Sequence, residues 1–215
     1  MRAGTGVQSP SATLRARTRE EHEAVEAALD MTQLRTRAGL VSVLCGWSAV
    51  WDQVRLAVLE PGATATAAAE LALPSAQALD WLAADLADLA PAVGAAPPTA
   101  TPDAAATLRR FLADPSAVWG VTYVLRGSRL GGGVLAPLVR GALDLPDDSG
   151  TRFLASQGTD AGREWVSFRR RLDAAELTAS ELSAAVEAAR WTFGWVGTAT
   201  VPDSLRPVPA GQGSR

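Results

Sequence analysis

His22 is the only histidine in the sequence and Cys45 the only cysteine. One imidazole and one thiol cannot build a CxxC pair, a zinc site of His and Cys ligands or an internal disulfide. All 20 basic residues are arginine. Without lysine there is no phosphate-binding P-loop, no kinase strand lysine and no Schiff base for pyridoxal phosphate. What remains is narrower: one imidazole able to ligate a metal, and many guanidinium forks suited to carboxylates.

The segment Gly127-Ser128-Arg129-Leu130-Gly131-Gly132-Gly133 is the second unusual feature. It interrupts an apolar helical pattern of Val121, Val124, Leu125, Val134, Leu135 and Leu138. Four glycines forgo roughly 4 kcal/mol relative to alanine, in a domain whose whole stability is about 5–15 kcal/mol. Three readings compete: a turn between two helices, close helix packing, or backbone approaching a flat ligand. The segment is not GxGxxG after a strand, so a dinucleotide site is disfavoured. His22 lies on the stripe Leu14, Thr18, His22, Val25 and Leu29. Alone on such a face, a histidine reads as a core residue. Taken together, one imidazole and one stretch of bare backbone are the two surfaces a planar metal cofactor needs, and haem fits them. Its propionates would require cations, and Arg15 stands seven residues before His22 on the same predicted helix.

The elements that must position these residues are helices. The chain has 215 residues, 47% hydrophobic and 20% charged, with 43 alanines and no Ile or Asn, a composition that favours helix and also follows from GC-rich coding. Caps and prolines predict helices over 10–30, 33–60, 75–90, 102–113, 116–143, 160–174 and 178–198. The expectation is a single all-α domain over 1–201, a bundle of about seven helices, followed by a disordered tail at 202–215. A net charge of −3 argues against a nucleic-acid partner. No apolar run is long enough to cross a bilayer and no signal-like apolar core opens the chain, which predicts a cytoplasmic protein without a membrane partner.

Three stretches resemble the heme oxygenases, of the bacterial type associated with bacteriophytochromes. Leu14 to His22 resembles the family's first helix, with its basic residue, Thr and proximal His. Tyr123 to Gly132 resembles the distal helix, whose glycines let it kink over the haem face. Leu143-Asp144-Leu145-Pro146, Phe153, and Trp165 with Phe168, Arg169 and Leu172 resemble the segments that follow. The likeness spans about residues 12–198. It implies a heme-oxygenase-like helical bundle with His22 as iron ligand, Gly127, Ser128, Gly131 and Gly132 on the distal, catalytic side, and Arg15, Thr18 and Arg169 binding the cofactor. It also implies that haem, as substrate and cofactor, is cleaved by O2 to biliverdin, CO and ferrous iron. Electrons would come from a ferredoxin or flavin reductase, and a bacteriophytochrome would receive the product. Two departures stand out: Ser128 replaces a common acidic residue, and Arg126 replaces the Glu of the phytochrome-associated type. The second implies either a changed surface contact or an altered salt bridge.

The other notable residues read as packing. Cys45 is expected to be a buried small hydrophobe, and the i, i+4 pairs Trp47–Trp51 and Trp191–Trp195 belong to core or groove. Arg170 and Arg171 read as a solvated face beside Arg169, which flanks the inward stripe. The rival function is a non-catalytic haem-binding or haem-sensing protein on the same scaffold.

Overall fold

The computed structural model describes residues 8–29, 31–89, 102–146, 149–156 and 158–200. The tail expected at 202–215 lies outside them. Nine α-helices occur among the described residues, with no strand: α1 (Pro10–Arg17), α2 (Arg19–Ala28), α3 (Arg37–Leu59), α4 (Ala65–Leu89), α5 (Pro102–Leu112), α6 (Pro115–Leu143), α7 (Arg152–Ala155), α8 (Ala161–Asp173) and α9 (Ala179–Thr200). The predicted caps are present. Ser9 accepts from Ala12 N ahead of Pro10, Asp114 accepts from Ser116 N ahead of Pro115, and Thr178 and Glu181 form a reciprocal box.

Four boundaries differ from expectation. The helix expected over 33–60 begins at Arg37, because Thr36 is extended and caps it by accepting from Gly39 N, leaving Gln33–Arg35 as a separate 3-10 turn. The first helix is two, because Thr18 leaves helical geometry at φ −116°, ψ 15°. Its hydroxyl and its N–H both donate to the Leu14 carbonyl, at 2.8 and 3.0 Å, and such back-bonding bends a helix. Helix α4 begins ten residues earlier than its proline suggested. Thr64 caps it by accepting from Ala67 N, and Pro74 is absorbed inside it. The short α7 carries too little periodicity to be read from sequence.

Helices α3, α4, α6 and α9 enclose the main core, where Trp51, Leu40, Leu44, Leu71, Leu82 and Leu125 are fully buried. Burying each such side chain contributes about 1.5–3 kcal/mol. Two glycines set how closely the backbones approach. A Cβ at Gly120 of α6 would land on the Ala185 carbonyl oxygen of α9, and one at Gly46 of α3 on the Ala199 carbonyl oxygen. Helix α7 docks differently. The fully buried carboxylate of Asp85, on α4, accepts from the N–H groups of Arg152 and Phe153, both at 2.9 Å, and so satisfies the first donors of α7. Burial pushes the Asp85 carboxyl up, against those hydrogen bonds. Its neighbour Asp88 accepts from Arg152 Nη1 at 2.6 Å, and that bond holds it below its ordinary value.

Two outcomes test this arrangement. Gly120→Ala should cost about 1–3 kcal/mol as α6 and α9 are forced apart, whereas Gly133→Ala, with open space around it, should gain up to about 1 kcal/mol. Thermal melting checks both, and equal melting temperatures for the two variants would refute the packing account. Asp88 has a folded pKa lowered from 3.8, so its contribution is present above that value and disappears as pH falls through the folded value. Asp88→Asn should therefore lower the neutral plateau of a stability–pH curve and flatten its acid limb, bringing variant and wild type together at low pH.

Candidate functional site

The glycine segment is uninterrupted α-helix. None of Gly127, Gly131, Gly132 or Gly133 has positive φ, which removes the turn reading. Close packing explains one of the four: a Cβ at Gly132 would sit 2.7 Å from the Leu154 carbonyl oxygen of α7. Gly127 has only the edge of the Trp165 ring near it, at 3.7 Å. Gly131 and Gly133 have nothing within 4 Å, but they point nearly opposite ways on the helix, and only Gly131 shares the face of Gly127. Pro137 lies inside α6 and cannot donate to the Gly133 carbonyl, which weakens the helix just after the glycines.

The N-terminal segment meets both ends of this stretch. At one end, Arg15 of α1 and Arg169 of α8 lie close enough to the Tyr123 phenol to favour its ionised form, against the burial that raises its pKa. At the other, Met31, Leu34 and Arg35, just beyond α2, share a cavity of about 410 Å³ with Leu138, Val139 and Ala142 of α6. Gly127 and Gly131 lie between Tyr123 and Leu138, and His22 lies between Arg15 and Met31. In sequence, His22 thus falls between the two N-terminal contact points with α6, and Gly127 and Gly131 fall between the matching points on α6.

His22 differs from the sequence expectation in one respect. It is not in the core: its side chain is 55% exposed and α2 has no buried residue. Its ring meets Phe193 edge-on at 5.6 Å, and Nδ1 lies 3.5 Å from Glu26 Oε2. Nε2 has no partner among the described residues. Arg15 and Arg169 are both exposed and without a carboxylate partner there, Arg169 Nε donating only to Ser11 Oγ at 3.4 Å. Thr18 is buried, with its hydroxyl committed to Leu14. Ser128 is half-buried and donates to the Leu125 carbonyl at 2.8 Å.

Arg126 makes an internal salt bridge rather than a surface contact, lying 3.3 Å from Glu70 Oε2 with its side chain 12% exposed. Arg171 is not simply solvated either, since it grips both Glu70 oxygens at 2.7 and 2.8 Å. Cys45 is buried, and burial pushes its thiol up. The Trp191–Trp195 pair is stacked at 5.1 Å and packs on the core. Tyr123 had no assigned role in the sequence. The available signal was its place one helical turn before Gly127, on the same face. Glu70 was hidden because Pro74 made its stretch read as loop.

Comparison with known proteins follows this geometry. A model of the heme oxygenase family matches residues 8–198. No curated protein sequence matches the chain. Among solved structures, heme oxygenase from Leptospira interrogans is 18% identical, covering 90% of this chain and 99% of that one, with a TM-score of 0.70. Heme oxygenase 2 from Chlamydomonas reinhardtii, solved without heme, is 16% identical over 95% and 100%, with a TM-score of 0.72. Heme oxygenase-1 from Synechocystis, solved with heme, is 14% identical over 90% and 91%, with a TM-score of 0.68. At these identities the structural likeness is one of fold, and the family match carries the assignment. On that match over nearly its whole length, the chain belongs to the heme oxygenase family.

Proposed function

We propose that the cleft between α2 and α6 binds haem and that the protein degrades it to biliverdin, CO and ferrous iron. The observation that carries this reading is the pairing of an exposed imidazole, with Nε2 free, and open backbone at Gly131. The side chains fit the group. His22 Nε2 would hold the iron, with Glu26 Oε2 3.5 Å from Nδ1 on the other side of the ring. Arg15, Arg169 and the Tyr123 hydroxyl would hold the propionates. Burial keeps Tyr123 protonated and hence a donor. Bound haem supplies O2 activation and is itself the molecule cleaved.

The chain's own contribution is placement. Gly127 and Gly131 let main chain stand close to the ring, and Trp165 walls one side of Gly127. Thr18 acts by bending the chain between Arg15 and His22. Gly132 sets the seat of α6 on α7. No flavin, nicotinamide or iron–sulfur motif occurs in the sequence, so an external ferredoxin or flavin reductase supplies the electrons, and the exposed Arg15, Arg169 and Arg170 favour an acidic docking face. The Tyr123 to Gly132 stretch resembles the bacteriophytochrome-associated type except at Arg126, and on that resemblance a phytochrome would receive the biliverdin. One observation favours the rival, non-catalytic reading: Ser128 spends its proton on the Leu125 carbonyl, so the distal segment 127–133 presents no acidic group. Biliverdin formation on adding reductant and O2 to the hemin complex separates the two.

His22→Ala should abolish the His-ligated haem spectrum and turnover without lowering the melting temperature, since the side chain is half exposed. Added imidazole should partly restore the spectrum. An unchanged Soret band would sink the ligand assignment, because no second histidine exists. Tyr123→Phe and Arg169→Ala should each weaken hemin binding, the arginine by about 10- to 100-fold, from a charge-assisted bond of roughly 1.5–3 kcal/mol. Wild-type affinity in both would place the propionates elsewhere.

A further inference from the structure

Pro74 sits inside α4 and has no N–H, so the carbonyl of Glu70, four residues earlier, lacks its helical donor. That carbonyl is taken by α6. Arg126 Nη2 donates to it at 2.9 Å and lies 3.3 Å from the Oε2 of the same residue, whose side chain is 7% exposed. The remaining capacity of Glu70 goes to α8 through the two-pronged contact of Arg171. One turn along α6, Arg129 is 6% exposed and donates to Glu164 Oε2 and Thr159 Oγ1, both at 2.6 Å, and to Ser156 Oγ at 3.2 Å. Arg126 Nη1 is 3.9 Å from the same Glu164 oxygen. These two guanidinium groups flank Gly127 and Ser128.

We propose that the socket formed by Pro74 and Glu70 is the positioning device for the glycine segment, and that Glu70 and Arg126 set how far the backbone of Gly127 and Gly131 stands from the cleft. Apolar packing cannot do this alone, because it is non-directional and because Gly131 and Gly133 bring no side chain to pack. Charge-assisted bonds to a fixed carbonyl and carboxylate are directional, and a shift of α6 by about 1 Å would lengthen Nη2···O beyond hydrogen-bond range. At about 100° per residue, Arg126 points about a third of a turn away from the cavity residue Leu138. It therefore acts on the cleft through the helix and touches no ligand. The geometry stands without any ligand, and its consequence for the cleft rests on the haem reading above.

The test uses Pro74→Ala and Arg126→Leu in the full chain. Pro74→Ala returns an N–H that competes for the Glu70 carbonyl, and it should leave melting temperature unchanged or raised while loosening α6. In haem-free protein, hydrogen exchange of the peptide from Val124 to Leu135 should quicken by about tenfold in either variant, with α9 peptides unchanged. Glu70→Gln, which keeps the carbonyl acceptor, should show a smaller change than Arg126→Leu. In the hemin–CO complex, the Fe–CO stretching band should shift or split in Pro74→Ala although stability is kept. Wild-type exchange in the Val124–Leu135 peptide of Pro74→Ala would overturn the proposal. So would quickening spread equally over α9, which would mean a general loss of stability. Should Arg126→Leu fail to fold, Pro74→Ala decides alone. Failure of wild-type protein to bind hemin would remove the haem reading and leave the exchange result to stand or fall separately.

Discussion

A helix that presents bare backbone on one side must be held from its other sides. Glycine at 127 and 131, on one face of α6, leaves that face without gripping side chains, and Pro137 removes one of the helix's own hydrogen bonds shortly afterwards. The rest of the molecule supplies the hold. Gly120 presses α6 against the α9 backbone, Gly132 presses it against the α7 backbone, and Arg126 and Arg129 tie it to α4 and α8. Helix α7 in turn is seated by Asp85. Small residues therefore do two opposite things on one helix. At 120 and 132 they permit contact, and at 131 and 133 they keep space clear.

Arginine is likewise divided between two kinds of work. Arg126, Arg129, Arg152 and Arg171 meet carboxylates within the protein, and removing one partner from such a buried pair leaves a charge that is costly to keep dry. Arg15 and Arg169 meet none, and they gather around a phenol that burial keeps protonated. On the haem reading, these three donors would form the end that takes the propionates. The cavity beyond α2 is lined by Met31, Leu34, Leu138, Val139 and Ala142 together with Arg35.

The sequence made the helices legible because caps and prolines punctuate them locally. Ser9, Asp114 and the Thr178–Glu181 box act within three residues of where they stand. It also made the cleft's residue types legible, since one histidine and one glycine run leave few choices. What it concealed depends on distant partners. Thr18 reads as a helical residue until its hydroxyl is seen on Leu14. Pro74 reads as a start signal until α4 is seen to continue through it. Glu70 and Arg126 lie 56 residues apart and meet only because α4 packs beside α6. His22 was placed on an apolar stripe, and the stripe is real at Leu14 and Thr18. The bend after Thr18 then carries the histidine out of the core.

That bend has a thermodynamic side. Helix α2 has no buried residue and rests against α9 through Val25 and the His22 edge on Phe193. Its ten residues are too few to be helical alone in water. Such an element opens locally at a free energy far below that of global unfolding. On the haem reading, a ring seated against His22 would give α2 the buried face its own sequence withholds, and occupancy and order of α2 would then be one equilibrium. Loss of the intact ring would, on the same reading, withdraw that support from α2.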